Sequence, residues 1–205
     1  MTAHDLEELD LDEEIALDRL TDAPREDAAA RAARDFLAAL GVQLDTPGTA
    51  RTAERMARAY QALLAAPPFE LTTFANDGGY DELVLVRDIP VHSVCEHHFL
   101  PFSGVAHVAY LPGERLVGLS KLARVVEHLA RRPQVQERLT QQVAEWLDTS
   151  LHPRGVGVVV DAEHSCMTLR GVRALGSRTR TQAFTGELRD GPARAELLGA
   201  VGEPR

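Results

Sequence analysis

Residues 83–112 read LVLVRDIPVHSVCEHHFLPFSGVAHVAYLP. Two runs suited to extended chain, LVLVRDIPV and GVAHVAYLP, flank the polar segment HSVCEHHFLPF. Hydrophobic runs bounded by turn residues read as strands. Cysteine, glutamate and two adjacent histidines are costly to bury unless something satisfies them. The segment between the strands therefore binds something or lies open to water.

Upstream, EDAAARAARDFLAALG reads as a helix carrying Phe36, Leu37 and Leu40, with Gly41 as its stop. TPGTARTAERMARAYQALLAAPP reads as a second, with Ala53, Met56, Ala57, Tyr60, Leu63 and Leu64 at helical spacing and Pro67-Pro68 beyond it. FANDGGYDE reads as a loop. Downstream, Pro112-Gly113 marks a tight turn before ERLVGLS. Ser120 is expected to cap the helix KLARVVEHLARR, whose buried stripe is Leu122, Val125, Val126 and Leu129. Pro133 suits the first turn of a helix PQVQERLTQQVAEWLDTSL, with Val135, Leu139, Val143, Trp146 and Leu147 facing the core. GVGVVVDAEHSCMTLRG reads as one long strand, SRTRTQAFTGEL as another, and a short helix closes the chain. Helices, strands, two helices and strands in that order give an α+β fold with an antiparallel sheet.

The chain has 205 residues, 44% of them hydrophobic, enough for a sizeable core. No apolar run approaches the roughly 20 residues of a membrane span. The start, MTAHDLEELDLDEE, has neither a basic nor an apolar leader region. A cytoplasmic protein is expected, in which two cysteines serve as metal ligands or catalytic groups rather than a disulfide. The net charge is −9. Residues 1–22 hold nine acidic side chains and only Arg19 to offset them, which is −8 and leaves −1 for the rest. The body shows no basic stripe of the nucleic-acid kind. Residues 1–25 read as an acidic, disordered tail ahead of a folded body at residues 26–205.

The chemistry gathers around the two cysteines. Cys95 and His98 form a Cys-x-x-His turn. On the expected strand, His164 and Cys166 are two apart and share a face. Cys95, His98 and Cys166 make three soft ligands, and three protein ligands with a fourth position open is the pattern of a catalytic zinc. A second feature concerns anions. Of 22 basic residues, 21 are arginine and one is Lys121. Lys121 lies in the first turn of its helix, against the dipole, with Arg124 on the same face. Cations there make sense if a polyanion binds, and Arg170 and Arg173 could add to such a pocket. Gln136 and Glu137 open the next helix. The carboxylate either compensates the dipole or accepts from an amidine-like edge such as N1–H and N2–H of guanine. Periodicity leaves both open.

SVCEHHFLPFSGVAHVAYLP, VGLSKLARVVEHLARRPQVQERLTQQ and EHSCMTLRGVR together closely resemble GTP cyclohydrolase I. The resemblance runs from about residue 26 to the C-terminal helix. It implies a tunnelling fold (T-fold): an antiparallel sheet with helices on one side, joined between subunits into a barrel, with two pentameric rings stacked as a homodecamer and active sites between subunits. By the same resemblance Cys95, His98 and Cys166 hold zinc, and His97 and His164 are the catalytic histidines. Ser120, Lys121, Arg124 and Arg170 bind the triphosphate, and Gln136 with Glu137 recognises guanine. The implied reaction opens the imidazole ring of GTP by hydrolysis at C8, with His164 supplying a proton to N7. It then releases formate and closes the rearranged ribose as 7,8-dihydroneopterin triphosphate. No redox cofactor, nucleic acid or membrane is implied. His92, before the zinc turn, and Arg180, in the last strand, depart from the family's usual residues. Two rival readings are another tunnelling-fold enzyme and a non-catalytic zinc-binding paralogue.

Overall fold

The computed structural model describes residues 25–202. The acidic segment expected to be a tail lies outside the described residues, apart from Arg25. The chain divides after Gln61 into two compact units.

The first unit contains α1 (Glu26–Ala39) and the start of α2 (Thr52–Leu64). Helix α1 ends where Gly41 takes a positive φ of 78°, the conformation glycine reaches at no steric cost. Its apolar residues do not build a core within this unit. Ala33 is buried, but Phe36 and Leu40 are 55% and 64% exposed. Arg34 donates to Glu54 at 3.2 Å. The expected second helix begins later than its quoted stretch, because Thr46–Arg51 form turns closed by the paired hydroxyls of Thr46 and Thr49.

The second unit is built on a five-stranded sheet. Its strands are β2 (Val84–Cys95), β3 (Pro101–Leu111), β5 (Pro133–Gln134), β6 (Gly155–His164) and β7 (Thr179–Phe184), in the spatial order β5-β2-β3-β6-β7. All neighbours are antiparallel except the short β5, which is parallel to β2. A separate ribbon pairs β1 (Thr73–Ala75) with β4 (Arg115–Val117). The last two residues of β1, Phe74 and Ala75, fall within the stretch read as loop. Helices α3 (Leu119–Ala130) and α4 (Gln136–Leu151) pack on the sheet, α3 against β2 and α4 against β6 and β7. Leu122, Val125, Val126 and Leu129 are the buried stripe of α3, as the spacing requires. Leu139, Val143 and Leu147 do the same for α4. Each such side chain contributes roughly 1.5–3 kcal/mol on burial. Gly104 of β3 has no room for a side chain. A Cβ there would sit 2.0 Å from the Asp161 carbonyl oxygen of β6. A single turn, α5 (Ser165–Thr168), follows β6, and α6 (Pro192–Val201) closes the described chain. Among the described residues, no helix is long and apolar enough to cross a membrane.

Three local expectations need correction. Ser120 does not cap α3; the cap is Gly118, and Ser120 lies inside the first turn. The Gly118 amide donates to Thr72 O at 3.0 Å, continuing the β1–β4 pairing, so the helix starts directly after it. Pro133 is not helical. It pairs with Val94 as an edge residue, a place where the missing N–H costs nothing, and Val135 becomes the cap of α4. Finally, the long strand stops at His164. Its partner there is Phe102, and β3 begins only one residue earlier at Pro101, so the ladder has no further backbone to pair with. His164 and Cys166 therefore do not share a strand face.

Candidate active site

The connection between β2 and β3 is a tight fold-back. The Cys95 amide donates to Leu100 O and the Phe99 amide to Cys95 O, both at 2.8 Å. Phe99 adopts a φ of 54°, a left-handed conformation that costs a bulky residue on the order of 1–3 kcal/mol. The turn brings the His98 Nδ1 within 3.8 Å of the Cys95 Sγ and the His97 Nδ1 within 4.0 Å. It is tied down by residues that the sequence pattern does not mark. The Glu96 amide donates to Gln134 O at 3.1 Å, and the Glu96 carboxylate accepts from Arg138 of α4. Arg138 also donates to Gln134 Oε1 at 2.9 Å and to Pro133 O at 3.2 Å. Glu96 and Arg138 are 42 positions apart, so no local signal announces their contact.

Cys166 arrives from the other side. Beyond His164 the chain turns into α5, and the Ser165 hydroxyl donates to Pro101 O at the start of β3. The turn swings Cys166 to the Cys95 sulfur. The ligand atoms of Cys95, His98 and Cys166 all lie within 4.8 Å of one another. A tetrahedral zinc with bonds of about 2.0–2.3 Å separates its ligand atoms by about 3.5–3.8 Å, so the set needs only a small contraction to enclose one. The donor chemistry also fits. Burial first, and then the Cys95 sulfur beside it, push the Cys166 thiol up, with Arg170 working the other way. Were both sulfurs ionised, a cation between them would offset the repulsion that this rise expresses. Cys95 is buried and His98 exposed, so the group opens to solvent on one side, as a catalytic rather than a closed structural site does.

His164 sits next to this cluster on the last residue of β6. Its ring stacks on Phe102, 4.5 Å between centroids and 11° from parallel. The stack follows from their direct pairing across β3 and β6. The His164 Nε2 lies 2.8 Å from Gln136 Oε1. Gln136 is fully buried, and its amide nitrogen donates to Val160 O at 3.2 Å, Thr179 O at 2.8 Å and Thr181 Oγ1 at 3.1 Å. Two of those partners are carbonyls and can only accept, which fixes which end of the amide is nitrogen. The Gln136 oxygen therefore faces His164, and the network assigns the histidine proton to Nε2. Nδ1 is left as the unprotonated ring nitrogen. Burial holds the His164 pKa below its ordinary value, opposed by the charge of Glu137.

The remaining expected site residues divide. Glu137, exposed in the first turn of α4, is electrostatically coupled to His164 and lines a cavity of about 550 Å3 with Gln141, Glu145, Asp148, Thr181 and Arg189. Gln136 is not free to meet a ligand edge with its side chain. Arg170 is exposed and acts on Cys166. Ser120, Lys121 and Arg124 stand on α3. Lys121 Nζ donates to Glu70 O at 2.6 Å, and Arg124 lines a smaller cavity with His92, Glu127 and Arg131. Neither contact is with the Cys95 cluster.

Residues 29–202 match the GTP cyclohydrolase I family. GTP cyclohydrolase 1 of Streptomyces griseus is 50% identical over 181 residues, covering 86% of this chain and 90% of the relative. That of Rhodopirellula baltica is 53% identical over 176 residues, covering 83% and 76%. That of Mycobacterium ulcerans is 47% identical over 200 residues, covering 95% and 98%. Fold, site and relatives together define a cyclohydrolase, an enzyme that opens a ring by hydrolysis. Within that class the chain belongs to the GTP cyclohydrolase I family.

Proposed function

We propose that this chain converts GTP and water to 7,8-dihydroneopterin triphosphate and formate, with one zinc held by Cys95, His98 and Cys166. The observation that supports it most directly is the convergence of those three ligand atoms beside a histidine whose tautomer is set by a buried glutamine. Zinc bound there would supply a Lewis acid that makes water a nucleophile at neutral pH. The chain's own residues do the rest. His164 holds or returns a proton at Nδ1, within reach of N7 of a guanine docked against Glu137. His97, next to the cluster and exposed, orients water or assists proton transfer. Glu137 accepts from N1–H and N2–H of the base, a pairing that adenine cannot make.

Ser120, Lys121, Arg124 and Arg170 bind the triphosphate. The contacts of Lys121 and Arg124 lie away from the cysteine cluster, which favours a site completed by α3 of a second copy in a homo-oligomeric ring. The open edge of β7 and the length of β2 that the two-residue β5 leaves unpaired suit such joining. Residues 26–205 act as one catalytic domain, and the reaction belongs in the cytoplasm as the first step of pterin and tetrahydrofolate formation. The test is incubation of the zinc-loaded protein with GTP. Formate and, after oxidation, a fluorescent pterin should appear together. Formate-free protein solutions with intact zinc and intact oligomer would sink the reading.

A further inference from the structure

A second cluster of charge lies on the other face of the sheet. Thr181 of β7 faces α4, where its hydroxyl is 2.6 Å from that of Thr140. Val160 is its partner across the ladder, so the next pair, Asp161 and Arg180, points to the opposite face. There Asp161 is almost fully buried, its carboxylate 4% exposed. Arg178 Nε donates to one of its oxygens at 2.7 Å and Arg180 Nε to the other at 3.0 Å. Arg178 donates again to the Asp161 carbonyl at 2.9 Å. The two ends left by α6 are taken as well, Ala200 O by Arg87 at 2.9 Å and Gly202 O by Arg180 at 2.8 Å.

These residues line a cavity of about 230 Å3, together with Asp88 and His107. Its history in the chain is a bulge. The β2–β3 register shifts between Val86 and Ile89, and Asp88 takes a φ of 58°. Bulges re-aim groups and gather at functional sites. Here the bulge turns the Asp88 amide onto His107 Nδ1, 3.3 Å away. Nδ1 is thus an acceptor, and burial, which lowers the His107 pKa, keeps the ring neutral with its proton on Nε2.

The hydrogen-bond inventory is lopsided. Both Asp161 oxygens and both helix-end carbonyls already accept. Arg178 Nη1, Arg180 Nη2, Arg87 Nη2 and His107 Nε2 have no acceptor among the described residues. Among the described residues, the formal charge of the lining is three guanidiniums against two carboxylates, of which Asp88 is exposed at the rim. Among the described residues, a cavity with spare donors, one positive charge in excess and no unbonded carboxylate but the exposed Asp88 at its rim suits a small anion with several oxygens. We propose that this cavity binds a small free oxyanion, of the phosphate or carboxylate class, at a site separate from the Cys95 cluster. It is too small for a nucleoside triphosphate. Arg180 supplies one of the spare donors.

Inorganic phosphate and acetate are the probes, titrated by calorimetry into the full zinc-loaded chain, into Arg180→Gln, into Arg87→Gln, and into Lys121→Ala/Arg124→Ala. Arg87 is exposed and its hydrogen bond is to a helix end, so its variant keeps the test alive if Arg180→Gln fails to fold. Binding of at least one probe is expected in the wild type, with the tighter one naming the anion class. The dissociation constant should rise about tenfold or more in the Arg180 and Arg87 variants, the loss of one charge-assisted hydrogen bond. It should be unchanged in the Lys121/Arg124 variant. Binding that survives both pocket variants, binding lost with Lys121 and Arg124, or no binding of either probe would each overturn the proposal.

Discussion

Gln136→Met tests how His164 is held. The substitution keeps the length of the side chain and removes both polar ends. Three donor contacts from the amide nitrogen disappear, and the His164 N–H loses its acceptor at 2.8 Å. Val160 O lies within the β6–β7 ladder, so the histidine suffers most. A buried donor left without a partner costs about 1–3 kcal/mol. For a domain of this size that corresponds to a fall in Tm of roughly 2–12 °C. The kinetic effect is separate. General acid–base catalysis is worth about 10²–10⁴-fold, and a histidine free to change tautomer or rotate forfeits part of it. A drop in kcat of about 10- to 100-fold is expected, with KM for GTP little changed and zinc content intact. Gln136→Glu is the control, because it keeps an oxygen towards His164 while spoiling the contacts to the two carbonyls. It should lose at least as much stability as Gln136→Met yet retain more of kcat. The assay is steady-state formate release alongside thermal melting and metal analysis. If Gln136→Met melts lower but turns over at the wild-type rate, the glutamine is only a packing residue and the tautomer argument is wrong. If KM rises and kcat does not fall, its role is in binding the base.

Cys166→Ser should lose most bound zinc and all activity, measured by metal analysis of the purified protein; a variant with full zinc would remove Cys166 from the ligand set. Lys121→Ala should weaken GTP binding far more than guanosine binding, and equal effects on both would exclude a phosphate contact. Glu137→Gln presents an amide N–H to a guanine donor, so GTP turnover should fall by a factor of ten or more, an effect of charged hydrogen bonds worth about 1.5–3 kcal/mol, without change in zinc or oligomer size. His107 is held neutral in the fold, mainly by burial, so its folded pKa lies below the ordinary 6.5. The unfolded chain then binds more protons as pH falls below about 6.5, and stability present above that value is lost towards acid. Urea midpoints between pH 7.5 and 5 should therefore fall less steeply in His107→Gln than in the wild type; equal slopes would show that His107 is not the group responsible.

What the sequence discloses and what it withholds divide by range. The stripe Leu122, Val125, Val126, Leu129 was legible because a helix repeats its face every three or four residues, and all four are buried. Cys95 and His98 were legible because a turn brings neighbours together. The nearness of Cys166 to Cys95 and His98 was anticipated, but through the wrong geometry. Strand alternation placed it beside His164, whereas the ladder ends when β3 runs out of residues and a helical turn delivers the sulfur. The length of a strand is a property of its partner, and no window along residues 155–171 contains that partner.

Gln136 shows the same limit at the level of chemistry. Beside Glu137, at the start of a helix, it reads as half of a ligand-recognising pair. Its actual surroundings are set by the register of β6 against β7, which stacks Val160, Thr179 and Thr181 beneath the first turn of α4. Shift that register by one residue and every side chain changes face. Asp161 and Arg180 would then meet α4, and a buried ion pair would replace the amide next to His164. The same register thus separates a neutral, directional hydrogen bond at His164 from a charged network on the far face. A carboxylate in place of the Gln136 amide would raise the histidine's pKa and hold its proton more tightly, whereas the amide fixes the tautomer without adding charge. For the acid–base role proposed for His164, the neutral partner is the better one.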